Sequence, residues 1–287
     1  MNLTSERTVT IEAVLKACRL CEAVRAEMVS EETLMKKDRS PVTVADYGAQ
    51  AILSLALERT FPHDPIVGEE DTTELRTGSG RAILERVVHF VRAEWPEATE
   101  EETLHAIARG NYAGGAVGRY WTMDPIDGTK GFLRGEQYAV ALALIQDGEV
   151  VLSALGCPNL PLDTARPNGP KGCLFVAVKG EGAFVRAPDS NRETPIHVSD
   201  IADPAQAAFC ESVEATHSAQ GDAARIAKAL GIKTPPMRID SQAKYAAVAR
   251  GDAAIYLRLP TSALYEEKIW DHAPGWLIIR EAGGEVT

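Results

Sequence analysis

The chain has 287 residues, 45% of them hydrophobic and 25% charged, which supports a sizeable buried core and excludes disordered and fibrous classes. Lys plus Arg total 30 against 41 Asp plus Glu, a formal charge of -11; this argues against a nucleic-acid polymer as partner, because polyanion binding needs a basic face. The longest wholly apolar stretch, Tyr138 to Ile145, is far short of a membrane span, and the opening MNLTSERTVT has neither a signal core nor a transit composition, so a soluble, cytoplasmic protein is expected.

The periodicities predict elements in the following order. Val9 to Val24 puts Ile11, Val14, Leu15, Cys18 and Cys21 on one helical stripe. A second helix runs from about Ala45 to Arg59 and ends before Phe61-Pro62. Ile66-Val67 is a short strand leading into Gly68-Glu69-Glu70-Asp71, Arg81 to Trp95 is a third helix, and Tyr120 to Met123 is a strand that stops at Asp124-Pro125. The period then changes to two: Tyr138 to Ile145 and Val150 to Leu155 flank Asp147-Gly148, a strong hairpin signal. Cys173 to Val178 and Ala183 to Arg186 form another pair. Beyond the turn-rich Ala187 to Thr194, helices at Ala223 to Leu230 and Ala243 to Ala249, a strand at Ala253 to Leu259 and a helix at Asp271 to Ala282 alternate. The fold class is therefore mixed α/β (α+β), with a largely antiparallel lobe over 1–190 and an alternating lobe over 191–287.

The five cysteines are an odd number spread through a large chain, which fits a reducing compartment. Cys18 and Cys21 form a C-x-x-C, but no second pair follows at zinc spacing, and packed thiols are the better reading.

Four acidic features fall at predicted element ends: Asp46 opening a helix, Glu69-Glu70 after a strand, Asp124-Pro-Ile-Asp127-Gly-Thr129 after a strand, and Asp271 opening the last helix. Each has a plain structural reading as well. Thr43-Val-Ala-Asp46 fits a capping box, Asp271 an N-cap, Asp127-Gly128 an ordinary turn, and Glu69-Glu70-Asp71 a solvated loop. Carboxylates two or three residues apart in tight turns repel one another unless a cation holds them, and hard oxygen ligands without nearby His or Cys select Mg²⁺ over zinc. Such a cluster clamps a phosphate and makes a nucleophile of bound water, with two ions roughly 3.5 to 4 Å apart.

The string WTMDPIDGTKGF, from Trp121 to Phe132, resembles the metal-binding signature of the inositol monophosphatase superfamily of magnesium-dependent, lithium-sensitive phosphatases. WDHAPGWLIIREAGG (Trp270 to Gly284) is similar to its second signature, and VGEE (Val67 to Glu70) and SPVTVADYGAQ (Ser40 to Gln50) complete the set in order. The resemblance implies a layered αβαβα sandwich. It implies that Glu69, Asp124 and the backbone carbonyl of Ile126 hold a first metal, and that Asp124, Asp127 and Asp271 hold a second. Asp46 with Thr129 would orient and deprotonate the attacking water, Glu69-Glu70 would help hold a third, weaker ion, and the amides of Gly128 and Thr129 would hold the phosphate. No covalent phosphoenzyme is implied.

TKGFLRGEQYAVALALI, ESVEATHS (Glu211 to Ser218), DSQAKYA (Asp240 to Ala246) and YLRLP (Tyr256 to Pro260) resemble the 3'(2'),5'-bisphosphate nucleotidase branch of that family. That branch turns adenosine 3',5'-bisphosphate into AMP and acts on PAPS, its sulfated relative. By the same resemblance His217, Ser241, Lys244 and Arg258 face the nucleotide's 5'-phosphate and ribose, with Asp240 near the base. Lys244 on a solvated helix face and Arg258 at a strand edge are the plain alternatives. Other substrates of the family, inositol monophosphate or an inositol polyphosphate, and a non-catalytic nucleotide-binding role also stand as alternatives. The branch implies a monomer, lithium inhibition and a role in sulfate assimilation and salt tolerance. Relatives in the family continue past Gly283-Gly284 through a strand, a turn and a helix, whereas this sequence stops at Thr287, which suggests a truncated C-terminal strand and helix.

Overall fold

Ala139 to Ile145 alternates small and large residues, and this one strand explains how the layers stack. The structure, a computed structural model, describes residues 2–31, 40–213, 220–259 and 266–287. Among them, β1 (Ile66–Gly68), β2 (Arg119–Asp127), β3 (Ala139–Gln146), β4 (Glu149–Pro161), β5 (Lys171–Val178), β6 (Gly182–Arg186) and β7 (Thr194–Pro195) form a seven-stranded sheet in sequence order. β1 runs parallel to β2, and all the other pairs are antiparallel. Val140, Leu142 and Leu144 of β3 enter the core shared with α1 (Thr4–Glu31) and α2 (Ser40–Thr60). Ala139 and Ala141 face the opposite way, toward α7 (Ala243–Ala249) and α8 (Ala273–Glu281). The strand is buried on both faces, and the alanines let α7 and α8 come close to the sheet.

A second, parallel sheet is ordered β10 (Ile255–Tyr256), β8 (Phe209–Glu211), β9 (Met237–Arg238). α7 packs against both sheets, and α6 (Gln220–Ala229) shares a groove with Phe209 and Arg238 of the second. Helices α1 and α2, first sheet, α7 and α8, second sheet and α6 thus give the expected αβαβα order. α3 (Arg81–Glu94) and α4 (Glu100–Ala108) pack on α2 within the β1-to-β2 crossover.

The predicted hairpin is present: Gln146 pairs with Glu149, and Asp147 (φ 51°) and Gly148 (φ 79°) both take positive φ, as a two-residue turn with the twist of its strands requires. Several expectations need correction. α2 begins at Ser40, so Asp46 lies inside the helix and Thr43 to Asp46 is not a capping box. β2 continues through Asp124-Pro125 to Asp127, because Pro125 falls in a bulge where no ladder bond is needed. The strand expected over Ala253 to Leu259 shrinks to Ile255–Tyr256. α8 starts after Asp271, which lies in a 3₁₀ turn, Ile269–Asp271. α4 was not anticipated, although Thr99 and Glu102 form a true capping box at its start.

Cys18 and Cys21 are unpaired thiols on α1, raised in pKa by burial, as packed side chains should be. Cys18 marks the tightest α1–sheet contact: a Cβ placed on Gly156 of β4 would stand 2.3 Å from Cys18 Sγ and 2.8 Å from Val14 Cγ1. Gly156→Ala is expected to cost about 1–3 kcal/mol by overpacking, read as a lower urea midpoint. An unchanged midpoint would show that α1 can shift on the sheet.

Candidate active site

The site begins with two buried polar residues one turn apart on α2. Asp46 and Gln50 are both buried and share a helix face by their i, i+4 spacing. The Gln50 side-chain amide donates to the carbonyls of Glu70 (2.7 Å) and Ile107 (3.0 Å), and its oxygen accepts from the Glu70 amide (3.0 Å). A buried amide satisfied at both ends fixes the loop after β1, and so carries Glu69 and Glu70 to Asp46.

The end of β2 supplies the centre. Asp124 opposes Ala141 and Asp127 opposes Ala139, so Pro125 and Ile126 together face Val140 alone. This bulge re-aims the chain: Ile126 keeps its side chain in the core, while Asp124 and Asp127 approach the same space. Gly128 follows with φ 90°, and a Cβ there would stand 2.8 Å from Cβ of Ser241. Glycine is required on both counts. Thr129 is exposed at the first position of α5 (Thr129–Arg134), a short helix that lies against α2.

The third wall comes from the C-terminal half. Asp271 brings a carboxylate oxygen to those of Asp124 and Asp127, all within 4.8 Å of one another. Gln242, just before α7, donates its main-chain N–H to Asp127 Oδ2 (2.6 Å). Ser241 sits beside it with φ 67°, an uncommon conformation for a non-glycine residue. The preceding Asp240 is buried and ion-paired to Arg134. Lys244 is not on a solvated face: only 4% exposed, its ammonium donates to the Ile239 carbonyl (3.2 Å) and lies 5.3 Å from the centre of the Tyr256 ring. Arg258 pairs with Glu267 (2.5 Å) and lies 3.9 Å from Asp271. His217 falls outside the described residues.

Burial and mutual repulsion dominate the electrostatics. Asp46 is pushed well above the usual carboxylate range by burial, then by Glu70 and Glu69. Asp124 is raised by burial and by Asp127, Glu69, Asp271 and Asp46. Glu69 is raised chiefly by burial although it hydrogen-bonds Asp124, and Glu70 is pushed up to about 7 by burial and by Glu69. Asp127 is raised by burial against the opposing pull of Lys244, whose own pKa burial lowers. The donors are oxygens, and Asp124 Oδ1 is buried with no hydrogen-bond partner. An orphaned carboxylate oxygen among converging carboxylates fits a hard divalent cation.

Structure therefore brings Asp46, Glu69, Asp124, Asp127 and Asp271 to one place and sets Gly128, Ser241, Lys244 and Arg258 beside it. Reading the sequence missed Gln50 and Gln242. Both lie inside the quoted strings SPVTVADYGAQ and DSQAKYA, where an amide in an apolar setting was the available signal.

Comparison with known proteins identifies the family. Residues 2–287 match the model of the inositol monophosphatase family, whose members are magnesium-dependent. A "3'(2'),5'-bisphosphate nucleotidase" of Schizosaccharomyces pombe is 47% identical over 304 residues, covering 100% of this chain and 86% of that protein. "3'(2'),5'-bisphosphate nucleotidase 1" of Arabidopsis thaliana is 46% identical, covering 95% and 82%. Among solved structures, inositol monophosphatase from Anabaena (Nostoc) superimposes with a TM-score of 0.64 at 19% identity, covering 99% of this chain and 84% of that one. CysQ from Bacteroides thetaiotaomicron gives 0.62 at 21%, covering 98% and 89%; at these identities the two support the fold alone. With a family model spanning nearly every residue and relatives near half-identical over their shared length, this chain belongs to the inositol monophosphatase family.

Proposed function

We propose that the chain is a 3'(2'),5'-bisphosphate nucleotidase that hydrolyses the 3'-phosphate of adenosine 3',5'-bisphosphate to give AMP, and acts on PAPS. The observation that carries the substrate assignment is the buried Lys244 and the half-buried Arg258 beside the oxygen-only cluster, near Asp127 and Asp271 respectively. A ligand anionic at one end only has no use for them, whereas a bisphosphate meets the carboxylate site with one phosphate and these cations with the other. The bisphosphate nucleotidases among the relatives support the same reading.

In this reading Glu69, Asp124 and the Ile126 carbonyl hold one magnesium ion, Asp124, Asp127 and Asp271 a second, and Glu69-Glu70 contribute to a third. Bound magnesium neutralises phosphate charge and lowers the pKa of water. Asp46, held basic by its burial and then by Glu70 and Glu69, takes the proton of the attacking water, which Thr129 orients. Water attacks phosphorus in line, the ester P–O bond breaks, and the ribose oxygen leaves as the alcohol after taking a proton from solvent. The amides of Gly128 and Thr129 hold the transferred phosphate, and Ser241, Lys244, Arg258 and His217 hold the 5'-phosphate and ribose. Lithium, a small monovalent ion, inhibits by occupying a magnesium site without supporting turnover.

On the same reading, residues 1–190 bear most metal ligands, and 191–287 bear the nucleotide contacts and Asp271. The five free thiols support a reducing, cytoplasmic setting. Among the described residues no helix is long and apolar enough to cross a membrane. The enzyme works as a monomer and clears a by-product of sulfate assimilation, which supports salt tolerance.

Four outcomes are expected. Phosphate release with Mg²⁺ should be rapid and lithium-sensitive from adenosine 3',5'-bisphosphate and slow from inositol 1-phosphate; the reverse preference would keep the chemistry and overturn the substrate. Asp124→Asn should abolish turnover in a folded chain, and Lys244→Met should raise KM for the bisphosphate by about tenfold or more, the loss of a charge-assisted contact. A retained rate in the first variant would remove the metal assignment, and an unchanged KM in the second would free Lys244 from the substrate.

The fourth concerns pH. Because the folded pKa values of Asp46, Glu69, Glu70, Asp124 and Asp127 lie above their ordinary values, the folded metal-free protein binds more protons than the unfolded chain. These groups therefore contribute stability in acid that is lost as pH rises through the ordinary carboxylate range and past about 7 for Glu70. The rise in Tm produced by Mg²⁺ should grow between about pH 5 and about pH 8. A Tm increment independent of pH would show that the ion does not bind at these carboxylates.

A further inference from the structure

Gln242 makes more contacts to the acidic site than its place in the sequence suggests. It stands at the N-cap of α7 yet makes no side-chain cap bond there; the Ser241 hydroxyl accepts from the Ala243 amide instead (3.1 Å). Its side chain, 1% exposed, is thereby free to reach across to the last helix. Nε2–H donates to the Trp270 carbonyl (2.8 Å), and Oε1 accepts from the Gly275 amide (3.2 Å). At the same time its main-chain N–H donates to Asp127 Oδ2 (2.6 Å). One residue thus grips the carboxylate of Asp127, the peptide immediately before Asp271, and the first turn of α8.

Carboxylate oxygens of those two aspartates lie within 4.8 Å of each other, and like charges that close repel. They come from segments far apart in the sequence, and no covalent or strand-ladder link joins them. A tie between these segments would hold the 3₁₀ turn carrying Asp271 beside Asp127 against that repulsion. We propose that Gln242 is a positioning residue that preforms the divalent-cation site by tying Asp271 to Asp127. This rests on the metal-dependent reading above and extends it to a residue outside the ligand and substrate sets named there. Partners that orient metal ligands in this way typically govern affinity by about 10–100-fold.

The test is Mn²⁺ binding to the full chain, by electron paramagnetic resonance or calorimetry, in wild type and Gln242→Met. That change removes both side-chain hydrogen bonds, keeps the volume, and leaves the main-chain donor to Asp127. The dissociation constant for Mn²⁺ is expected to rise by about 10-fold or more, with the half-saturating Mg²⁺ for turnover rising in parallel and kcat at saturating Mg²⁺ largely restored. A lower Tm with unchanged Mn²⁺ affinity would assign Gln242 a purely structural role and overturn the proposal. Wild-type protein that binds no Mn²⁺ would instead overturn the metal-dependent reading itself. Should Gln242→Met fail to fold, Gln242→Asn, one methylene too short to span both partners, is expected to weaken Mn²⁺ binding in the same direction; unaltered affinity there would equally overturn the proposal.

Discussion

Repulsion among buried carboxylates is the constraint around which this molecule is built. Two unit charges at about 4 Å cost about 4 kcal/mol at an effective dielectric near 20, and five acidic side chains from four separate segments meet here. Left to themselves they would part or take up protons; the pKa values of Asp46, Glu69, Asp124 and Asp127, raised first by burial and further by their acidic neighbours, register that tendency. The fold opposes it with neutral groups. The bulge in β2 aims Asp124 and Asp127, Gln50 ties down the loop bearing Glu69 and Glu70, and Asp271 rides on a turn adjoining α8. Asp124 Oδ1, buried and without a partner, shows that protein groups alone do not complete the arrangement.

The cations at the site are placed to one side of this cluster. A buried ammonium is costly unless paired, and Lys244 is held by the Ile239 carbonyl, the Tyr256 ring and the field of Asp127. Its charge leaves it with capacity to take an anion. Arg258 already holds a carboxylate, that of Glu267, through Nε and Nη2. A guanidinium fork that grips a carboxylate in this way matches a phosphate equally well. The proposed substrate therefore exchanges one anion for another at Arg258, so little new order is imposed on that side chain when the ligand arrives.

How much of this was legible in the sequence depended on whether the signal was local. The Asp147-Gly148 turn was readable because two adjacent residues determine it, and β3 because its alternation of alanine with larger apolar residues is a property of the strand itself. The carboxylates were readable as candidates because like charges at short spacing are anomalous without a cation. Their exact settings were not. Asp46 was misplaced at a helix start because Thr43 and Asp46 imitate a capping box three residues into a helix that already exists. Asp271 was misplaced by one residue, the N-cap being His272, because an acidic residue before an apolar stripe reads as an N-cap, whereas here its Oδ2 accepts from the Lys268 amide in a separate 3₁₀ turn (3.2 Å). Gln242 escaped notice because its partners are distant in sequence, and neither Gln nor its neighbours break any local rule.

Close packing beside the carboxylates is what brings the two halves of the site together. A Cβ on Gly275 would meet the Tyr245 ring at 2.3 Å, so α8 and α7 touch at a distance only glycine permits. On the other side of that pair, Ala139 and Ala141 of β3 keep the sheet face low. With larger residues at these positions α7 and α8 would be lifted away from the end of β2, and Gln242, Lys244 and Asp271 would move with them. The string WDHAPG therefore combines two unlike demands: Asp271 supplies charge, while Gly275 supplies the approach that delivers that charge to Asp124 and Asp127. Replacing either residue should damage the same site, the first by removing an oxygen ligand and the second by displacing it.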